Sequence, residues 1–516
     1  MKYNDYSKVT ARGELGARCA LSSSRLESPI YRPDVIFKIE QAGWPGDWEG
    51  RTILALTCQA QVTKREPSYL DEIVSNLKDH LNGRGYLGPI YDGKLNEQQL
   101  SGHGWLLRGL CEYYLYRKYD FVLSLIDGVV RGLLLPAEGK YKTYPVLPKQ
   151  RDNGGDMSGN TLGFIGDWLI STDTGCAYIA MDGLIQAYSV LKENLPDRDR
   201  DEKINALIDE MTKQFCKIPF VEIKMQTHAT LTGLRGLLRR YGQTGDEKLL
   251  SQTKRIFDLY EKHGMTATYA NKNWFLRPEW TEPCAIIDSY MVCSKLFAYC
   301  GDPHYAKLSQ LILYNGVYHA QRGNGGFGCD TCATDGTLAA HCYEAYWCCT
   351  MRGGEGLAAA AAYAVTDDGV IVNPISVDTL VCGKPLIITS GYPYSDDIKI
   401  KFDGGGRLRL FKPSWAEITG CEYVSGYDEY YVYIDAPDGV EFTLKMKNKI
   451  WCDGSRIYDG PLLLAAEKPL KLSSSDDVKK EDGRYTANGQ SLADLTGTYL
   501  LSEAETVSKR LWVELI

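Results

Sequence analysis

The chain has 516 residues, of which 44% are hydrophobic and 24% charged, and its formal net charge is −8. This is the composition of a soluble globular protein, and the length is sufficient for two or three domains. The acidic balance lacks any basic block, which argues against nucleic acid and anionic membranes as partners. No stretch is long and apolar enough to be a transmembrane helix.

The N-terminus and the cysteines predict the compartment. Residues 1–6 lack the apolar core of a signal peptide, and the 16 cysteines are scattered along the chain and do not form a compact disulfide framework. We therefore expect a cytoplasmic protein. The sequence leaves a homodimer open.

The first two thirds of the chain are predicted to be helical. Residues 1–45 are rich in Ser, Pro and Gly and are interpreted as an extended N-terminal segment. From residue 46 to residue 365 the apolar residues recur with the period of a helix. After two helices between residues 50 and 81, further helices are predicted near 102–118, 120–134, 176–193, 201–217, 226–241, 246–263, 283–300, 303–320 and 351–365.

These helices resemble one another in pairs. Gly245 and Gly301 each end a helix, and the aspartate that follows each of them caps the next one. About six helical hairpins predict an (α/α)₆ toroid. In such a toroid the loops before the inner helices meet at one mouth. His103, His228 and the cysteines at 284 and 348 stand near the starts of alternate helices, so we expect them at that mouth.

After residue 365 the pattern changes to strands. Ile398, Ile400 and Phe402 alternate with lysines, which is typical of a half-buried antiparallel strand. Residues 366–470 are predicted to form an antiparallel β-sandwich. Residues 471–516 are interpreted as a charged linker and a terminal strand that packs on the sandwich edge. The expected fold class is thus α+β multidomain, a toroid followed by a sandwich.

Four residues form a candidate metal site. Glu282, Cys284, Cys348 and Cys349 offer one carboxylate and three thiols, which suits zinc. Pro283 fits the first position of a helix, and a helix start favours a thiolate. More than sixty residues separate the two halves, so inert buried cysteines or a vicinal disulfide stay open as alternatives.

A second cysteine motif lies between these halves. Cys329 and Cys332 form a C-x-x-C with no second pair to face it. We interpret it as a loop, with a redox role or a second metal site as the alternative.

The residues from Glu282 to Ile286 resemble the glutamate-x-cysteine helix of glycoside hydrolase family 127 (GH127), the β-L-arabinofuranosidase family. The similarity continues through Gly301–Tyr305, Leu313–Gly316 and the adjacent pair Cys348 and Cys349. It extends to turns of the β-domain, so that it spans roughly residues 47–467; these turns are Gly391–Tyr394, Lys412–Trp415 and Asp459–Leu462.

The resemblance implies a zinc-dependent retaining glycoside hydrolase. It would release a β-L-arabinofuranose-like sugar from plant-type or pectic glycans, so the expected partner is an oligosaccharide or glycoside. Zinc would be bound by Glu282, Cys284, Cys348 and Cys349, with Cys348 also the nucleophile. His103 and His228 match family histidines that bind the sugar. A third family histidine falls near Cys176, where this chain has none, which implies a changed sugar pocket.

The acid/base residue departs from the family. Its glutamate, sixteen residues before the zinc glutamate, is replaced by Thr266, and residues 264–278 contain no carboxylate. Our prediction is Glu279, which could instead form an ion pair with Arg277. The other candidates are Glu344, Tyr269 and Glu355.

The missing glutamate keeps a second function open. The chain could be a non-catalytic or altered-specificity sugar-binding protein. A uronide hydrolase or lyase is one form of this alternative, and Arg108, Arg151 and Arg277 could serve it by binding a carboxylate.

Overall fold

The computed structural model describes residues 1–38, 44–151, 158–277, 280–332, 337–340, 344–496 and 509–516. Within these ranges the α-helices are α1 (Gly13–Leu26), α2 (Pro33–Ile36), α3 (Asp47–Thr63), α4 (Leu70–Asn76), α5 (Glu97–Arg117), α6 (Phe121–Val129), α7 (Ala180–Asn194), α8 (Arg198–Phe215), α9 (Thr227–Thr244), α10 (Glu247–His263), α11 (Pro283–Cys300), α12 (Pro303–Ile312) and α13 (Cys349–Ala362).

Six inner helices form a closed ring. Each packs on the next in the order α3, α5, α7, α9, α11 and α13, and α13 returns to α3. The outer partners of these helices are, in the same order, α4, α6, α8, α10, α12 and α1. The predicted (α/α)₆ toroid is confirmed.

Residues 1–45 were predicted to be extended, but part of this segment is helical. Gly13–Leu26 is the helix α1, which buries Leu15, Cys19 and Leu26 against α13 and α3. It supplies the sixth outer helix, so the segment is part of the toroid. Its residues are mainly polar or small, and the helix becomes favourable only through these long-range contacts.

Glycines allow the inner helices to approach closely. A Cβ at Gly50 of α3 would overlap with the backbone nitrogen and Cα of Leu106 on α5. A Cβ at Gly183 of α7 would likewise overlap with the carbonyl oxygen of Gly104 on α5. Because backbone atoms cannot move aside as flexible side chains do, these contacts fix the spacing of the ring.

Gly50→Ala should therefore destabilise the toroid. We expect a loss of about 3 kcal/mol, because α3 and α5 must separate to admit one methyl group. Thermal unfolding followed by circular dichroism measures the effect. Gly83→Ala is the matched control, since a Cβ at residue 83 meets no atom within 4 Å. Equal melting temperatures for the two variants would contradict this account of the packing.

The strands are β1 (Thr10–Ala11), β2 (Leu95–Asn96), β3 (Thr161–Ile165), β4 (Trp168–Ser171), β5 (Thr331–Cys332), β6 (Thr337–Ala340), β7 (Val370–Ile371), β8 (Val377–Val381), β9 (Lys384–Ser390), β10 (Asp397–Phe402), β11 (Gly406–Phe411), β12 (Ala416–Thr419), β13 (Val424–Tyr427), β14 (Tyr431–Ala436), β15 (Glu441–Asn448), β16 (Ile450–Asp453), β17 (Arg456–Asp459), β18 (Leu462–Ala466), β19 (Lys479–Glu481), β20 (Arg484–Ala487), β21 (Gln490–Asp494) and β22 (Lys509–Trp512). A small sheet joins β2, β4 and β3 within the toroid.

The predicted sandwich is present. One sheet has the order β1-β8-β9-β10-β15-β12 and the other β13-β14-β11-β7. Ile398 and Ile400 of β10 face Leu444 and Phe442 of β15, and these apolar side chains belong to the main core. The β7–β11 pair is parallel, an exception to the antiparallel arrangement.

Residues 471–516 were predicted to be a linker followed by one edge strand of the sandwich, and the structure differs. Strands β19, β20 and β21 form a meander that pairs with β18, and β22 lies between β18 and β6 of the toroid. This third sheet has its own small core, which includes Leu464, Tyr485 and Leu492. The strands are short and charged on their exposed face, which explains why their sequence is typical of a linker.

Among the described residues, every helix is too short or too polar to cross a lipid bilayer. The cytoplasmic location and the homodimer stay predictions.

Candidate metal centre and active site

A cavity of about 530 Å³ opens where the inner helices begin. The N-terminal turns of α3, α9, α11 and α13 line it with Asp47, His228, Glu282 and Cys349. A helix N-terminus carries partial positive charge, so several of them converging on one point favour thiolates and carboxylates there. Four tryptophans add broad apolar surfaces to the wall and the mouth: Trp44, Trp48, Trp280 and Trp347.

The three predicted thiols meet at the cavity, where Cys348 and Cys349 form part of the wall and Cys284 lies against Cys349. The Sγ of Cys349 lies 3.6 Å from the Sγ of Cys284 and 3.4 Å from the Sγ of Cys348. Two thiolates on a tetrahedral zinc with bonds of 2.3 Å lie about 3.8 Å apart, so these separations fit the ion. The halves meet because α11 and α13 are neighbours in the ring. Cys348 is partly exposed, whereas Cys284 and Cys349 are buried.

Glu282 is the N-cap residue of α11 and Pro283 occupies its first position, as predicted. The helix α13 begins at Cys349, two residues before the predicted start, so Cys348 is its N-cap residue. Asn271 fixes the loop before α11, because its Oδ1 accepts a hydrogen bond of 2.8 Å from the Glu282 backbone nitrogen. The chain therefore holds the carboxylate and the thiols on rigid elements.

The Glu282 carboxylate has two polar neighbours. His228 Nδ1 lies 3.2 Å from Glu282 Oε1, and Gln226 Nε2 lies 3.5 Å from Glu282 Oε2. One nitrogen of His228, one oxygen of Glu282 and the Sγ of Cys284 all lie within 4.8 Å of one another. His228 can thus orient the carboxylate or offer a nitrogen ligand.

Arg51 contacts the thiol cluster through Cys284. Its Nη1 donates to Cys284 Sγ at 3.3 Å, and its Nε forms a 2.8 Å ion pair with Asp47. The guanidinium lies over the Trp105 ring, whose other neighbours include His228, stacked on it at a centroid distance of 5.7 Å. These contacts fix the position of Cys284.

An ion-pair network fills the toroid axis beneath Trp105. Asp288 accepts from Arg235 at 2.7 Å and also from Arg352. Burial raises the pKa of Asp288, but the two arginines overcome this effect and lower it to about 2. Arg108 forms a 2.8 Å pair with Glu355 in the same network. The network joins the inner helices α5, α9, α11 and α13 through paired charges.

The arginines of the uronide alternative lie elsewhere. Arg108 is held in the axis, and Arg151 is fully buried against Glu97 at 3.1 Å. Arg277 lies over the Trp274 ring at 4.4 Å. None of the three lines the described wall of the cavity.

His103 does not reach the described cavity wall. Its Nε2 accepts a 3.0 Å hydrogen bond from the Leu87 backbone nitrogen, so Nδ1 is the atom that donates to the Gln99 carbonyl oxygen at 2.8 Å. Burial lowers the pKa of His103 to about 4, which keeps the ring neutral. Contact between His103 and a sugar stays a prediction, which this geometry does not favour.

The predicted acid/base, Glu279, lies outside the described residues. Glu344 pairs with Arg25 at 2.8 Å, and Glu355 is buried in the axial network. The Tyr269 hydroxyl lies 2.9 Å from that of Tyr458. All three have structural partners, and none of them lines the described cavity wall.

Two residues at the cavity were not assigned to it from the sequence: Cys329 was interpreted as part of a loop, and Asp173 was not singled out. Cys329 of the C-x-x-C lines it as a fourth thiol. Burial raises the pKa of the Cys349 thiol well above its ordinary value, and the neighbouring Cys284 and Cys329 thiols add to this shift. The loop of Cys329 is fixed because the Asp330 backbone nitrogen donates to Thr281 Oγ1 at 2.9 Å. The second residue is Asp173, which also lines the cavity. It lies three positions before Cys176, near which the resemblance places a family histidine that this chain lacks.

Comparison with known proteins gives structural relatives alone. No protein-family model matches the sequence, and no curated protein matches it. One solved structure, a GH127 β-arabinofuranosidase, superposes with a TM-score of 0.70 at 14% identity, covering 100% of this chain and 97% of that one. The fold is that of the GH127 β-arabinofuranosidases.

Two further structures have the same fold. A GH127 β-L-arabinofuranosidase from Geobacillus stearothermophilus T6 has a TM-score of 0.61 and 14% identity, covering 92% of this chain and 89% of that one. A structure described as a glycoside hydrolase has a TM-score of 0.63 and 13% identity, with coverages of 99% and 94%. The GH127 fold therefore includes both the toroid and the β-domains, at a sequence distance where the fold alone is established.

Proposed function

We propose that the protein is a zinc-dependent retaining glycoside hydrolase that acts on β-L-arabinofuranosides. The observation that carries the proposal is the meeting of Cys284, Cys348 and Cys349 close to Glu282, at a cavity lined by tryptophans. The GH127 fold supports the same activity, since two of its solved members are named β-arabinofuranosidases.

Glu282, Cys284, Cys348 and Cys349 would hold the zinc, with His228 orienting the carboxylate. A bound zinc would keep the thiols deprotonated and share their negative charge. This matters because burial raises the pKa of the Cys284 thiol well above its ordinary value. The donor set is soft and thiol-rich, which suits zinc better than calcium or magnesium.

Cys348 is the proposed nucleophile because it is the accessible thiol of the three. Its Sγ forms a bond to the anomeric carbon while the bond from that carbon to the glycosidic oxygen breaks. The electron pair goes to the leaving oxygen, which takes up a proton. Water then releases the sugar from Cys348, and the two displacements together retain the anomeric configuration.

The remaining wall would bind the sugar and the aglycone. The tryptophans present apolar faces on which a sugar ring can pack. Gln226 offers a hydrogen-bond acceptor: its Nε2 faces Asp173 and Glu282, which leaves Oε1 buried without a partner among the described residues. A sugar hydroxyl would satisfy this oxygen.

Incubation with an aryl β-L-arabinofuranoside tests the proposal. We expect release of the aryl alcohol, and nuclear magnetic resonance should detect the β-anomer as the first sugar product. A matched panel of aryl uronides tests the alternative, which the positions of Arg108 and Arg151 do not favour. Hydrolysis of uronides alone, an inverted anomer, or no hydrolysis of any arabinofuranoside would contradict the proposed function.

A further inference from the structure

Three carboxylates line the described wall of the active-site cavity: Asp47, Asp173 and Glu282. Asp47 forms the ion pair with Arg51, and protonation of Asp47 would break it. Glu282 belongs to the proposed metal site. Asp173 differs from both, because its partners are neutral donors.

Three hydrogen bonds fix the Asp173 carboxylate. Its Oδ1 accepts from Ser158 Oγ at 2.6 Å and from Gln226 Nε2 at 3.0 Å. Its Oδ2 accepts from the Gly159 backbone nitrogen at 2.8 Å. No described Lys, Arg or His lies within ion-pair distance of it. A neutral setting is what a carboxyl group needs if it is to gain and lose a proton during a reaction.

Asp173 also lies where it could exchange a proton with a substrate in the cavity. A single side-chain amide, that of Gln226, separates Asp173 from Glu282, and Asp173 lines the same cavity as Cys348 and Cys349. Asp173 precedes α7, an inner helix that contributes neither a metal ligand nor a cysteine to the proposed centre. It therefore approaches the cavity from a different side than α11 and α13 do.

We infer that Asp173 is the general acid and base of the proposed hydrolase, in place of the absent family glutamate. Its carboxyl group gives a proton to the glycosidic oxygen as the Cys348 Sγ bonds to the anomeric carbon. In the second half, the carboxylate takes a proton from water as the water oxygen bonds to that carbon. The carbon–sulfur bond breaks as this new bond forms, and its electron pair returns to the Cys348 Sγ.

The protonation state expected for the Asp173 carboxyl group agrees with its role as a general acid. Burial, with smaller contributions from the negative charges of Glu282 and Glu97, raises the pKa of Asp173 to about 7, while Ser158 and Gly159 oppose the shift. A group of this kind is protonated in a substantial fraction of molecules near neutral pH. General acids work best when the pKa lies near the working pH.

The inference rests on the proposed function, and Asp173→Ala tests it on two substrates. With an alkyl β-L-arabinofuranoside, kcat/KM should fall by about 10²- to 10⁴-fold, because the leaving oxygen needs the proton. With an activated aryl arabinofuranoside, formation of the covalent intermediate should stay within about tenfold of its original rate. Azide should restore turnover by entering the space of the lost carboxyl group and should give a β-arabinofuranosyl azide.

Two other variants separate this role from a structural one. Ser158→Ala removes one hydrogen bond from Asp173 but keeps the carboxyl group, so it should show neither the substrate difference nor an azide product. Glu279→Ala examines the residue predicted from the sequence in the same assays. If Asp173→Ala does not fold, Asp173→Asn replaces it and is judged by the substrate difference.

Equal losses on both substrates without an azide product would overturn the inference while leaving the hydrolase proposal intact. The same pattern in Glu279→Ala and not in Asp173→Ala would also overturn it. No hydrolysis by the unaltered protein would remove the proposed function, and the role of Asp173 with it.

Discussion

Cys348→Ser should abolish turnover of aryl β-L-arabinofuranosides, with kcat/KM lower by about 10³-fold or more. The hydroxyl group has nearly the shape of the thiol, but it is not ionised near neutral pH and is a much weaker nucleophile. Initial rates on the aryl substrate measure the loss. Cys452→Ser, at an exposed cysteine of the β-domain, is the matched control and should keep full activity.

A covalent label distinguishes nucleophile from ligand. An arabinofuranose-derived alkylating agent should add one sugar to the unaltered protein, on the peptide that contains Cys348. Fragmentation by mass spectrometry separates Cys348 from its neighbour Cys349. Labelling of Cys349 or Cys329 in preference to Cys348, or full activity of Cys348→Ser, would contradict the assignment of the nucleophile.

The second large effect concerns the metal. The purified protein should contain about one equivalent of zinc, and Cys284→Ser should weaken zinc binding by at least about 100-fold. The lost thiolate removes a ligand held in the interior, where Arg51 donates to it. Elemental analysis after dialysis against a chelator measures the zinc content, and thermal unfolding with and without added zinc measures the accompanying stabilisation.

Cys293→Ser is the matched control for the metal. Cys293 is also buried on α11, but its Sγ donates to the Tyr305 carbonyl oxygen and lies outside the metal-ligand groups. This variant should keep its zinc even if it is less stable. Equal zinc contents in Cys284→Ser and the unaltered protein would remove Cys284 from the site, and a zinc-free unaltered protein would remove the metal from the proposal.

The sequence predicted the fold well where the patterns are local. Helical periodicity and the Gly-Asp junctions at 245 and 301 predicted the paired helices, and alternation around Ile400 predicted the sandwich. The helix α1 and the meander of β19 to β21 were missed because their own residues are polar. They are stabilised by contacts with distant parts of the chain, which no local pattern records.

The residues of the candidate site likewise fall into those that the sequence predicted and one that it did not. Glu282, Cys284 and the pair Cys348 and Cys349 stand out because thiols near helix starts are informative on their own, and the structure brings these thiols together. Asp173 gave no such signal, since aspartate is common in loops and its role depends on its neighbours. Only the fold reveals that, among the described residues, Asp173 has no cationic partner, whereas Asp47 pairs with Arg51 and Glu282 belongs to the proposed metal site.

The closure of the ring affects the order of events during synthesis. Gln59 of α3 donates through Nε2 to the Gly354 carbonyl oxygen of α13 at 2.7 Å, across 295 positions of the chain. A ribosome-bound chain that has not yet exposed α13 therefore cannot complete the ring, and such long-range closure slows folding. Cys348 and Cys349 belong to this last inner element, whereas Cys284 emerges earlier. We expect zinc to enter a nearly finished toroid and not to nucleate its folding.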